Sequence, residues 1–141
     1  MFENILVPLD GSELAECVLP HVAALTEAFD AQVTLLRVLE HVSENGSTPV
    51  DPLESHIVKA EAEAYVENVA ERLQQAGIEP QIKLLEGSAA ERIVEYAQNN
   101  DIDLVVLSSH GRTGLSRWNV SSVVQKVIHN VRRSVMIIRA Y

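Results

Sequence analysis

Two short stretches carry residue types that could bind a ligand. In the first, Leu9-Asp10-Gly11-Ser12, an apolar run ends on a carboxylate, a glycine and a hydroxyl. The second, LSSHGRTGLSRWNVSSVVQKVI over 107–128, leaves an apolar run and crosses a loop containing Gly111 and Gly114. It then re-enters an apolar run behind Ser121 and Ser122. A phosphate chain lying between the end of a strand and the start of a helix is held by free backbone N–H groups and by the positive end of the helix dipole. Glycine lets an anion approach the backbone closely, or supplies a positive φ where the turn needs one. The hydroxyls of Ser108, Ser121 and Ser122 can donate to phosphate oxygens, and Arg112 and Arg117 would add positive charge. The same residues also have purely structural uses. Ser121 or Ser122 would cap any helix, Ser122 with Gln125 makes a capping box, and Asp10 with Glu13 makes another. Spacing alone leaves both uses open.

The elements that must position these stretches are legible from periodicity. Five short runs rich in β-branched residues, at 5–9, 33–38, 82–85, 104–107 and 135–138, read as strands. Several are apolar on both faces, as strands covered by helices on both sides must be. Between the first two runs Leu14, Val18, Val22, Leu25 and Phe29 mark one helical face, which Pro20 should kink or loosen. A second helix is expected over 56–75, turning Ala62, Val66, Val69 and Leu73 inward and ending on Gly77 as a left-handed cap. A third starts at Ser88, where a capping box runs through Glu91, and carries Ile93, Val94 and Ala97. A fourth starts at Ser121 or Ser122 and buries Val123, Val124, Val127 and Ile128.

Strict strand-helix alternation predicts an α/β fold: a single doubly wound domain, residues 1–141, with a five-stranded, mainly parallel sheet and helices on both faces. Ligands of such folds sit beyond the carboxyl ends of the strands, at the topological switch point. The residues that matter are therefore those that follow strands one, two and four. The Gly-, Pro-, Ser- and Asn-rich segment 41–55 follows strand two on that same edge, and reads as either a lid or a long loop.

Composition narrows the partners. The 141 residues, 47% of them hydrophobic, suffice for one sizeable core. A net charge of −9 with no dense Lys/Arg stripe disfavours nucleic acid. The one cysteine, Cys17, has no internal disulfide partner; no apolar segment has membrane-spanning length and the N-terminus lacks a signal-peptide pattern, so a cytoplasmic protein is expected. Enzymatic patterns are missing. Ser109 and His110 are adjacent, so in extended chain their side chains diverge, and His21, His41, His56, His110 and His129 lack metal-ligand spacing. Neither G-x-G-x-x-G nor the P-loop G-x-x-x-x-G-K-[ST] occurs; if ATP binds, it does so without the P-loop lysine, and hydrolysis is at most slow.

The start Ile5-Leu6-Val7-Pro8-Leu9-Asp10-Gly11-Ser12, a second strand ending in a valine, and the closing stretch resemble the universal stress proteins over the whole chain. Nucleotide-binding members of that family close with Gly, two residues, Gly, nine residues, Gly, then Ser or Thr. Here the pattern maps onto Ser108-Ser109-His110-Gly111, nine residues, then Ser121-Ser122, so two of its three glycines are serines. The resemblance implies a stress-response regulator that binds ATP with Mg as a nucleotide-bound ion. Pro8 and Val38 would line the adenine slot, with Val38 offering its backbone to the base. Asp10 would meet the ribose hydroxyls and the metal, and Gly111 and Ser122 would meet phosphate. It also implies a homodimer in which the last strand pairs antiparallel with its copy. The lost glycines leave two alternatives standing: a nucleotide-free dimeric adaptor acting through unknown protein partners, and a slow ATPase.

Overall fold

The computed structural model describes residues 2–11, 13–40, 52–110 and 120–140. Five strands, β1 (Asn4–Leu9), β2 (Gln32–Leu39), β3 (Gln81–Glu86), β4 (Leu104–His110) and β5 (Ser134–Ala140), form one sheet in the order β3-β2-β1-β4-β5. Every neighbouring pair is parallel, so the sheet is wholly rather than mainly parallel. Four helices connect the strands: α1 (Leu19–Phe29), α2 (Pro52–Gln75), α3 (Ala89–Asn99) and α4 (Val120–Asn130). The strand order reverses between β1 and β4, which makes their carboxyl ends the switch point.

Both faces of the sheet are covered. On one, Ile5, Val7, Leu9, Val33 and Leu35 pack with Leu19 and Val22 of α1 and with Val66, Val69 and Leu73 of α2. On the other, Leu6, Leu36, Val38, Val105 and Leu107 pack with Ala90, Ile93 and Ala97 of α3 and with Val123, Val124 and Val127 of α4. Burying one such Val, Leu or Ile contributes about 1.5–3 kcal/mol, more than any propensity difference within these helices, so the two layers hold the helices in place.

Gly77 follows its local signal. Gly77 takes φ +86, and the Ile78 N–H donates back to the Leu73 carbonyl at 2.9 Å, as a left-handed helix stop requires. Pro20 sits at a change of helix type. The segment Glu13–Val18 is a 3-10 helix, and α1 starts only at Leu19, which puts Pro20 in its first turn, where a missing N–H has no acceptor to disappoint. Phe29 and Ile128, both expected inside, are 40% and 47% exposed. Phe29 instead meets Phe2 edge to face, with ring centroids 5.2 Å apart. α2 begins at Pro52 rather than residue 56.

Candidate functional site

The crevice at the switch point has a covalent cause. The Gln32 N–H donates to the Glu3 carbonyl, so odd-numbered backbone groups of β1 face β2, and by alternation the even-numbered ones face β4. Pro8 is even-numbered and has no N–H. The β1–β4 register accordingly runs only through Ile5↔Leu104 and Leu6↔Val105, although both strands continue. On the other side β1 stays paired with β2 as far as Leu9↔Arg37. The paired register of β1 and β4 thus ends at residue 6 of β1, short of the carboxyl ends of both strands.

Asp10 closes β1 and is 1% exposed; Gly11 follows with φ +86 and turns the chain. Ser108 lies in β4, 8% exposed, opposite Ile138 of β5. The expectation had strand four end at Leu107. It continues to His110, so Ser108 is a strand residue and not part of a loop. Pro8 and Val38 are buried at the ends of β1 and β2. α4 includes Val120, so Ser121 and Ser122 lie within its first turn instead of capping it, where backbone N–H groups have no intrahelical acceptor. Of the site residues expected from sequence, Pro8, Asp10, Val38, Ser108 and the backbone of Ser121 and Ser122 all belong to the carboxyl edge of the sheet or to the helix that follows β4. Gly111 and Arg112 lie outside the described residues, as does 41–51 of the segment 41–55 read as a lid or a long loop, whose last four residues belong to α2.

Two residues of this edge were not singled out from sequence. Arg37, on β2, is 8% exposed, and its Nη1 donates to the Val38 carbonyl at 2.5 Å. A Cβ at Gly11 would stand 3.3 Å from Arg37 Nη2 and 3.4 Å from Nε, so the guanidinium lies against the turn after β1. The signal was present: Arg37 is the one charge in the apolar run VTLLRVL. The other residue is Glu40. The expected capping box of α3 is replaced: Ser88 holds the N-cap position with extended φ and ψ but makes no side-chain cap. The Ala89 N–H instead donates to Glu40 Oε1 at 3.1 Å, and the Gly87 N–H to the Leu39 carbonyl at 3.0 Å. The start of α3 is tied to the end of β2, and a carboxylate already occupies its positive end. Of the starts of α3 and α4, that of α4 is the one the sequence equips for an anion.

The family model of the universal stress proteins matches residues 1–139. The chain belongs to the universal stress protein family. It is 30% identical over 142 residues to the universal stress protein MJ0531 of Methanocaldococcus jannaschii, covering 99% of this chain and 83% of that protein. The solved structure of MJ0577, from the same organism, superposes with a TM-score of 0.82 at 28% identity, covering 100% of this chain and 98% of that one. Universal stress protein UspA from Lactobacillus plantarum gives 0.80 at 28% identity, covering 98% of each chain. More distant universal stress proteins share the fold. One, in complex with cAMP, has a TM-score of 0.74 at 22% identity over 99% of both chains. Another, from Archaeoglobus fulgidus in complex with dAMP, has 0.69 at 21% over 97% of both.

Proposed function

We propose that this universal stress protein is a cytoplasmic stress-response regulator that binds an adenine nucleotide, ATP with Mg, beyond the carboxyl ends of β1 and β4. The observation that carries the reading is the early end of the β1–β4 pairing at the switch point, before Pro8, with the Asp10 carboxylate buried just beyond it. A carboxylate there can accept from ribose hydroxyls, and the first turn of α4 offers N–H groups to phosphate. Family members of the same fold, solved with cAMP and dAMP, support an adenine nucleotide. Magnesium fits as an ion carried by the nucleotide. Among the described residues no three His, Cys, Asp or Glu side chains cluster, so phosphate oxygens, water and one carboxylate would hold it, as is usual for Mg²⁺. The chain is proposed to act as one domain over 1–141 and to dimerise through β5. That strand is at a sheet edge, and its odd-numbered N–H and C=O groups face away from β4.

A second reading, the nucleotide-free adaptor, is favoured by one specific feature. Ser108 and Ser121 stand where nucleotide-binding members have glycine, and Ser108 is buried. Native purification followed by denaturation and mass spectrometry of the released small molecules separates the two. Co-purified adenine nucleotide, with calorimetric binding of ATP that strengthens with Mg, supports the first reading. An empty protein that binds no nucleotide at millimolar concentration supports the second. Steady-state phosphate release tests for slow hydrolysis.

A further inference from the structure

Charge is segregated along this chain. All 20 acidic residues precede Leu104, while Arg112, Arg117, Lys126, Arg132, Arg133 and Arg139 follow it. The last two strands and the helix between them, β4, α4 and β5, therefore contain no Asp or Glu. β5 is also an open edge: among the described residues β4 is its one neighbouring strand, and its odd-numbered N–H and C=O groups face outward. Val135, Met136, Ile137 and Ile138 are all half-buried, the odd-numbered pair against the layer of α3 and α4 and the even-numbered pair against the layer of α1 and α2. Arg132 and Arg133 lie exposed at the amino end of this strand, and neither makes an ion pair among the described residues.

We infer that the β5 edge takes an extended segment of a partner protein, whose apolar residues lie along Val135 and Ile137 and whose acidic residues end beside Arg132 and Arg133. The backbone of the incoming strand fills the outward N–H and C=O groups, and its carboxylates supply what this part of the chain lacks. A second copy supplies none. In the antiparallel register that sets Val135 against Ile137 of the copy, residue 133 meets residue 139, another arginine. The inference rests on the reading of β5 as a pairing edge, and makes self-pairing and partner binding competitors for it. A nucleic acid is the other ligand of a basic surface, but it brings neither a strand nor apolar side chains, and the chain's net charge of −9 repels it.

The test is titration of the full chain, by fluorescence anisotropy at low salt, with two labelled peptides amidated at the carboxyl end, TVTVTEE and TVTVTKK. Both are repeated on the double variant Arg132→Glu, Arg133→Glu and on Ile137→Pro, with thermal melts to confirm folding. The wild type should bind the acidic peptide roughly tenfold more tightly than the basic one, the scale of two exposed charge pairs made in one case and reversed in the other. The charge-reversed variant should prefer the basic peptide, and Ile137→Pro should bind neither. Equal affinities in the wild type, or an acidic preference that survives charge reversal, overturn the inference and leave the arginines as guards of an open edge. So does failure of both peptides to bind at millimolar concentration, a folded Ile137→Pro that binds as the wild type does, or a short DNA duplex that binds more tightly than the acidic peptide. Light scattering keeps the dimer reading separate. A monomer that still prefers the acidic peptide removes the dimer and leaves the inference standing; a dimer that binds neither peptide does the reverse.

Discussion

Gly11→Ala probes the turn at the rim of the site without requiring a ligand. Two costs are readable from the geometry. At φ +86 an alanine pays about 1 kcal/mol of left-handed strain. Its Cβ would also stand 3.3 Å from Arg37 Nη2, 3.4 Å from Nε and 3.6 Å from Cζ, so the guanidinium must give by a few tenths of an ångström. That guanidinium is fixed by its bond to the Val38 carbonyl, and weakening the bond costs about another 1 kcal/mol. The sum, about 2 kcal/mol, should lower the melting temperature by roughly 6–10 °C for a domain of this size. The two parts separate in a double-mutant cycle with Arg37→Met, whose flexible thioether makes no such bond. In that background Gly11→Ala should cost only the strain, about 1 kcal/mol, leaving a coupling of about 1 kcal/mol. Urea unfolding of the four proteins measures it. Additivity within about 0.3 kcal/mol would falsify the claim that Arg37 is wedged against the turn, whatever the size of the single effects.

Three further outcomes are expected. Asp10→Ala should weaken nucleotide binding by about 1.5–3 kcal/mol, roughly 12- to 150-fold, if the carboxylate contacts the ligand. A loss of stability near 1 kcal/mol with unchanged affinity would reduce Asp10 to a helix cap. Ile137→Pro removes an N–H on the outer edge of β5 while sparing the donors that face β4, so light scattering should show a monomer where the wild type is a dimer. A dimer that survives the substitution would exclude pairing through that N–H. Burial raises the pKa of Cys17 above its ordinary 9.0. Its thiolate fraction at pH 8 should therefore be lower than that of an unfolded control, with alkylation by iodoacetamide correspondingly slower. The same shift stabilises the fold below pH 9 and is lost as pH rises through the folded-state value. Equal rates in folded and unfolded protein would rule out that burial.

What the sequence makes legible follows from the range of the interaction that decides each feature. Strands such as Ile5-Leu6-Val7 and helix faces such as Val66, Val69 and Leu73 announce themselves because burial acts on every residue of a run with one period. Gly77 does so because a left-handed cap is a property of one residue. Ser88 misled for the opposite reason. Its local box was a sound expectation, but the acceptor for the first N–H of α3 came from Glu40, 49 positions away, once β2 and β3 had brought the two together. The crevice and its lining are of this second kind. Pro8 in a β-branched run looks like a blemish in a strand until the sheet order shows that its missing N–H faces β4. Arg37 looks like a stray charge until the turn at Gly11 exposes the Val38 carbonyl beside it. Each is a local exception to a local pattern, a proline and a cation in strands otherwise built for burial, and such exceptions cost stability unless something at the site uses them. The two exceptions stand at the ends of β1 and β2 on the same edge of the sheet. That coincidence places both departures from the local pattern at the carboxyl edge, where ligands of doubly wound sheets bind.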